Sequence, residues 1–101
     1  MTEDRGTFSY EPTGKIDESN WQAFSESLID AVEQAATLGQ DLVVNLANVP
    51  YMSSRGLRAL TLARKAAGDR VEIVLVAADA RLREILAISR YDKIFRVEDA
   101  R

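Results

Sequence analysis

Two short runs constrain this chain more than anything else in it: Leu42-Val43-Val44-Asn45-Leu46 and the eight residues from Val71 to Ala78 (VEIVLVAA). A strand with one face in water alternates apolar and polar residues. A run that is apolar almost throughout is covered on both faces, as parallel strands usually are. Parallel neighbours cannot be joined by a tight turn and need a crossover, normally a helix. Between the two runs Leu57, Leu60, Ala63 and Ala67 recur at helical spacing, on a helix that starts near Ser53 or Ser54 and stops at Gly68-Asp69. Ahead of the first run, Trp21, Phe24, Leu28, Val32 and Ala35 form another apolar stripe. Ser19 offers it an N-cap, Gln22 a capping box, and Gly39 a left-handed end.

The flanks complete the pattern. Thr7 to Tyr10 alternates as a strand does, and Gly14-Lys15-Ile16-Asp17 reads as a strand edging into a turn. Asp79 is placed to cap a third helix with Leu82, Ile85 and Leu86 inward, and Ile94 to Val97 reads as a final strand. The order β, α, β, α, β, α, β predicts an α/β layer structure with a mainly parallel sheet of four or five strands and right-handed crossovers. With 101 residues the expectation is one domain spanning the chain.

Most enzyme classes lose their tools here. The chain has no histidine and no cysteine, hence no imidazole base, thiolate nucleophile or thiolate metal site. No serine sits in a Gly-x-Ser-x-Gly elbow, and Gly14-Lys15 is followed by Ile16 rather than by the Ser or Thr of a phosphate-binding loop. The acid pairs Asp17-Glu18 and Glu98-Asp99 read as solvated surface, so no cofactor and no metal are expected. An acidic balance (16 acidic against 13 basic groups) argues against direct nucleic-acid binding. No apolar run approaches 18 residues, so no membrane insertion is expected, and the polar start Met1-Thr-Glu-Asp-Arg-Gly is not a signal peptide. A cytoplasmic protein is the resulting expectation.

One segment carries more than packing explains. Residues 48–60 join the end of a buried strand to the start of a helix, where open α/β sheets usually meet ligands and partners. One serine is accounted for as an N-cap; two in succession, Ser53 and Ser54, are not. Gly56 costs about 1 kcal/mol relative to alanine inside a helix and needs a reason, for which close packing is one candidate. Tyr51 and Met52 read equally well as exposed contacts or as loop anchors. Arg55, Arg58, Arg64 and Lys65 follow with no acid between them, and Arg58 shares a helix face with Lys65.

The run Val49-Pro-Tyr-Met-Ser-Ser-Arg-Gly-Leu, after Leu42-Val-Val-Asn-Leu, resembles the phosphorylation loop of STAS-domain anti-sigma-factor antagonists. Gly14-Lys15-Ile16-Asp17 is similar to that family's segment before its first helix. Val74-Leu-Val-Ala, Leu82, Leu86, Ile94-Phe95 and Val97 are similar to its C-terminal strand, helix and strand. The resemblance implies a small STAS-like layer structure and a phosphoacceptor two residues before the glycine, Ser54, with Ser53 as fallback. Three positions depart from the family pattern: Ser53 stands for an aspartate, Arg55 for a small or hydroxyl residue, and Arg90 for a glycine near the final turn. Arg55 puts a cation beside the acceptor, placed to contact a phosphate or to select the partner kinase.

The resemblance implies a non-enzymatic antagonist that binds an anti-sigma factor with serine kinase activity, is released on phosphorylation, and is restored by a PP2C-type phosphatase. The expected contact surface is Asp17 together with Tyr51, Met52, Ser53, Ser54, Arg55, Gly56, Leu57 and Arg58. A second reading within the same family is an unphosphorylated scaffold, such as the small subunit of a lipid ABC transporter, which would use the same helix face permanently.

Overall fold

In the computed structural model, which describes residues 6–99, four parallel strands lie side by side in chain order. They are β1 (Thr7–Tyr10), β2 (Asp41–Asn45), β3 (Ile73–Val76) and β4 (Arg96–Glu98). The connections are α1 (Trp21–Leu38), α2 (Ser54–Ala67) and α3 (Ala80–Ile88), with a single 3-10 turn at Tyr91–Lys93. Right-handed crossovers between successive neighbours carry every helix to the same face of the sheet. Burial agrees with that placement. Leu42, Val44 and Leu75 share one core with Phe24, Leu28 and Val32 of α1, Leu60 and Ala63 of α2, and Leu82 and Leu86 of α3.

Alternation along each strand sends Val43, Val74 and Val76 to the other face, where they form a separate buried cluster. By register they are flanked by polar residues: Val43 pairs with Ser9, Val74 with Arg96, and Val76 with Asn45 and Glu98. The unbroken apolar runs of β2 and β3 thus fill two clusters at once. The edge strands, which contribute to only one, alternate.

Local details differ from the sequence reading in three places. The segment Gly14 to Asp17 makes only an isolated parallel bridge, Ile16 to Met52, so the sheet has four strands and not five. Helix α1 is capped otherwise than expected. Asn20 occupies the N-cap position, and the Ser19 hydroxyl donates to Asp17 Oδ1 at 2.7 Å instead of accepting from the helix. Asn20 turns backward: its Oδ1 accepts from the Asp17 N–H at 2.9 Å and its Nδ2 donates to the Lys15 carbonyl at 2.9 Å. The last strand begins at Arg96 because the N–H groups of Ile94 and Phe95 bond back to the Tyr91 carbonyl of the 3-10 turn, at 3.1 and 2.8 Å, rather than to the sheet; Phe95 is buried there while Ile94 is exposed.

Two helix ends were legible. Gly39 closes α1 in the left-handed conformation with φ 66°. Asp79 caps α3, its Oδ1 accepting from the N–H groups of Arg81 at 2.8 Å and Leu82 at 3.3 Å. Arg90 also adopts a left-handed backbone, with φ 63°. A side chain there costs about 1–2 kcal/mol, which glycine avoids. The geometry therefore explains why a glycine suits this position and what arginine gives up.

Candidate functional site

A parallel sheet with helical crossovers gathers the N-termini of all its helices at the C-terminal edge of the strands. The loop from β2 to α2 lies at that edge, and it is stitched to the loop from β1 to α1. Gly14 N–H donates to the Asn48 carbonyl at 2.9 Å, Ile16 N–H to that of Tyr51 at 3.0 Å, and Ser53 N–H to that of Ile16 at 2.8 Å. The first loop therefore behaves as a short splint along the second. Side chains finish the joint: Ile16 and Met52 are buried against each other's segment at 3% and 2% exposure.

Gly56 lies beneath that joint. A methyl group on it would sit 2.5 Å from Met52 Cγ and 2.9 Å from Ile16 Cγ2. Close packing is thus a sufficient reason for the glycine. Of the two readings for the preceding pair, Met52 takes the anchor and Tyr51, 47% exposed, takes the surface. Met52, Ser53 and Gly56 are buried, so in the free chain they shape the loop rather than offer side chains to a partner.

The two serines are sharply different. Ser53 is the N-cap of α2 and is buried, its Oγ accepting from Gly56 N–H at a long 3.4 Å. Ser54 opens the helix and is exposed. Counting from Ser54 at 100° per residue, Arg58, Thr61 and Lys65 line one solvent-facing stripe, diametrically opposite Ala59, Leu60 and Ala63, which are buried. Leu62 at the stripe's margin is 39% exposed, and Leu57 is half-buried. Arg64 lies about 80° around the helix from Ser54, at the other margin of the stripe, and with Lys65 lines a hollow that also takes in Asp69, Glu72 and Arg96.

Arg55 has intramolecular partners that sequence reading missed. Its Nε lies 2.9 Å from Glu18 Oε1, and its guanidinium carbon sits 5.6 Å from the centroid of the Trp21 ring. The contact ties the start of α2 to the start of α1. Both side chains of the ion pair are more than half exposed, so the pair is worth at most about 1 kcal/mol. Trp21, expected as a core residue, is half-buried and serves as the platform. Asp17 stands one residue earlier in a tight turn. The Ser19 hydroxyl and then the Ser19 N–H hold its carboxyl below the usual aspartate range, against slight desolvation and with help from the Lys15 ammonium at 3.9 Å. No group of three or more carboxylates able to hold a metal ion occurs among the described residues. No helix among them is long and apolar enough to cross a membrane.

The sequence matches the STAS domain family over residues 1–101. The chain belongs to that family. A STAS-domain containing protein of Pseudomonas aeruginosa (strain UCBPP-PA14) is 36% identical over 69 residues, which is 67% of this chain and 68% of that protein. Among solved structures, an anti-sigma factor antagonist from Mycobacterium paratuberculosis superposes with a TM-score of 0.80 at 22% identity, covering 97% of this chain and 80% of its own. The anti-sigma factor antagonist SpoIIAA, in its unphosphorylated form, superposes with a TM-score of 0.65 at 14% identity, over 100% of this chain and 86% of its own. At those identities the likeness establishes the fold. This STAS domain has the α/β architecture of anti-sigma factor antagonists, four parallel strands packed by three helices.

Proposed function

We propose that this STAS domain is an anti-sigma-factor antagonist controlled at Ser54. In this reading it binds an anti-sigma factor that is also a serine kinase, through the exposed face of α2. Phosphorylation of Ser54 releases it, and a PP2C-type phosphatase restores it. The domain acts as substrate and competitor, carries no catalysis of its own, and works in the cytoplasm. The names of its structural neighbours favour this reading over a scaffold in a lipid transporter.

The observation that carries the proposal is the division of labour between adjacent serines. The Ser53 hydroxyl is buried and occupied as a cap, whereas Ser54 is exposed at the helix start on a stripe with Arg58. A bare hydroxyl is small and neutral, and a partner packs over it at little cost. A phosphoryl group adds about −1.5 to −2 charges and three acceptor oxygens. The helix N-terminus tolerates that charge in water. An interface closed over it does not, because an uncompensated buried charge costs about 3–5 kcal/mol. Release therefore needs no unfolding.

The test is intact-mass measurement after incubation with ATP and histidine-kinase-like anti-sigma factors, followed by site mapping. One phosphoryl group on Ser54 is expected, and Ser54→Ala should remain unmodified, folded and bound to its partner. Full modification of Ser54→Ala would refute the assignment.

A further inference from the structure

Resting on that reading of Ser54, we propose that Arg55 is the residue whose guanidinium pairs with the phosphate carried by Ser54. On phosphorylation it leaves Glu18 and the Trp21 ring and pairs with the new phosphate, so the modification also opens the contact between the starts of α1 and α2.

Three observations lead there. Arg55 immediately follows Ser54; adjacent helical side chains diverge by about 100°, so it is the length and flexibility of the arginine arm that let its guanidinium swing toward position 54 from its present place beside a carboxylate, 2.9 Å from Glu18 Oε1, and over Trp21 at 5.6 Å. This contact is weak and displaceable, since the two side chains of the ion pair are 60% and 64% exposed and screened by water. Finally, the incoming group is a stronger partner of the same kind. A phosphate near pH 7 carries close to two charges, and arginine's planar fork matches its oxygens in pairs. The same charge also repels Glu18, which now shares the neighbourhood with a second anion. Attraction of Arg55 and repulsion of Glu18 thus act in one direction.

Arg58 is the competing cation. It lies one turn after Ser54 on the same face, the spacing at which helical ion pairs form. No ion pair to Arg58 occurs among the described residues, so it has no carboxylate to leave. If Arg58 alone took the phosphate, Arg55 would stay on Glu18 and Trp21 would remain covered. The two outcomes are therefore separable by experiment.

The chain contains one tryptophan, which makes Trp21 an internal reporter. The full chain is prepared with phosphoserine incorporated at position 54 during translation, in wild-type, Arg55→Ala and Arg58→Ala backgrounds. Circular dichroism checks that each is folded. In the wild-type background phosphoserine should shift Trp21 emission to the red and increase its quenching by acrylamide. In Arg55→Ala, where the ring is already uncovered, phosphoserine should add no further shift. A phosphorus NMR titration gives the second readout: the phosphoserine midpoint should be lower in the wild type than in Arg55→Ala, because a nearby guanidinium favours the dianion. Unchanged Trp21 emission on phosphorylation, or a midpoint that moves only in Arg58→Ala, would overturn the assignment to Arg55. Partner binding, measured on the same samples, keeps the two claims distinct. Loss of binding without a Trp21 response retains the switch and refutes the exchange. A Trp21 response without loss of binding does the reverse.

Discussion

The chain builds a strand-to-helix connection at the C-terminal edge of β2 and another at that of β3, and the two helix starts align residue by residue. Ser53, Ser54, Arg55 and Gly56 open α2; Asp79, Ala80, Arg81 and Leu82 open α3. The α3 start is self-contained. The Asp79 carboxylate satisfies two N–H groups, Arg81 stays 3.9 Å from that same carboxylate, and Leu82 is fully buried. At α2 the corresponding needs are met from elsewhere. The cap is a neutral hydroxyl with one long bond, Arg55 reaches across to Glu18, and the third helical position must stay empty for Met52 and Ile16. One helix start already holds its negative charge. The other holds none of its own and presents a free hydroxyl next to the cap.

Substitutions at the third helical position should separate the two starts most strongly. Leu82→Ala leaves a cavity and is expected to cost about 2–5 kcal/mol. Gly56→Ala is the opposite change and should also destabilise, by a net ~1 kcal/mol, because overpacking against Met52 outweighs the gain in helix propensity. Denaturant melts of both variants check this. A Gly56→Ala variant more stable than the wild type would mean that the joint yields easily.

The caps come next. Asp79→Ala should cost about 1 kcal/mol, and Ser53→Ala less, about 0.5 kcal/mol, since its bond is longer and neutral. Equal losses in thermal melts would remove the distinction between an occupied and a weakly occupied helix start.

Of similar size is the expected contrast between Arg58→Glu and Arg64→Glu in affinity for the proposed anti-sigma partner. Both change the net charge equally, but only Arg58 shares the stripe with Ser54. Its loss should be about 1 kcal/mol larger for an acidic partner, and should fade as salt is raised. Equal effects would indicate general electrostatics rather than a docked face.

The smallest effect concerns Asp17, whose carboxyl is held below its usual range by Ser19. A group with a depressed folded-state pKa contributes stability above its unfolded value and loses it as pH falls through the folded one. Asp17→Asn should therefore lower the melting temperature slightly at neutral pH and flatten the acid side of its pH dependence. A parallel offset at every pH would show that the turn depends on shape and not on charge.

Much of this was readable from residues alone, for identifiable reasons. Unbroken apolar runs reveal parallel strands because both faces are covered, and the stripes of α1 and α2 reveal which side meets the sheet. Asp79 and Gly39 act locally, so their roles survived folding unchanged. What escaped depended on chain segments far apart in sequence. Ser19 lost its capping role to the Asp17 turn, which is pinned from Lys15 and Asn20. Gly56 is required by Ile16, forty residues earlier, and Arg55 meets Glu18 and Trp21 on another helix start. No periodicity within α2 contains those partners. The exposure of Ser54 and burial of Ser53 likewise follow from where the loop lands, which two adjacent serines cannot tell by themselves.

The most direct test of the central claim is the affinity of the proposed anti-sigma partner for the unmodified chain and for the chain phosphorylated on Ser54, measured by titration calorimetry. The two samples should have matching circular dichroism. An affinity at least ~100-fold weaker after phosphorylation is expected from the cost of closing an interface over an unpaired charge. Equal affinities for the two folded forms would contradict the account.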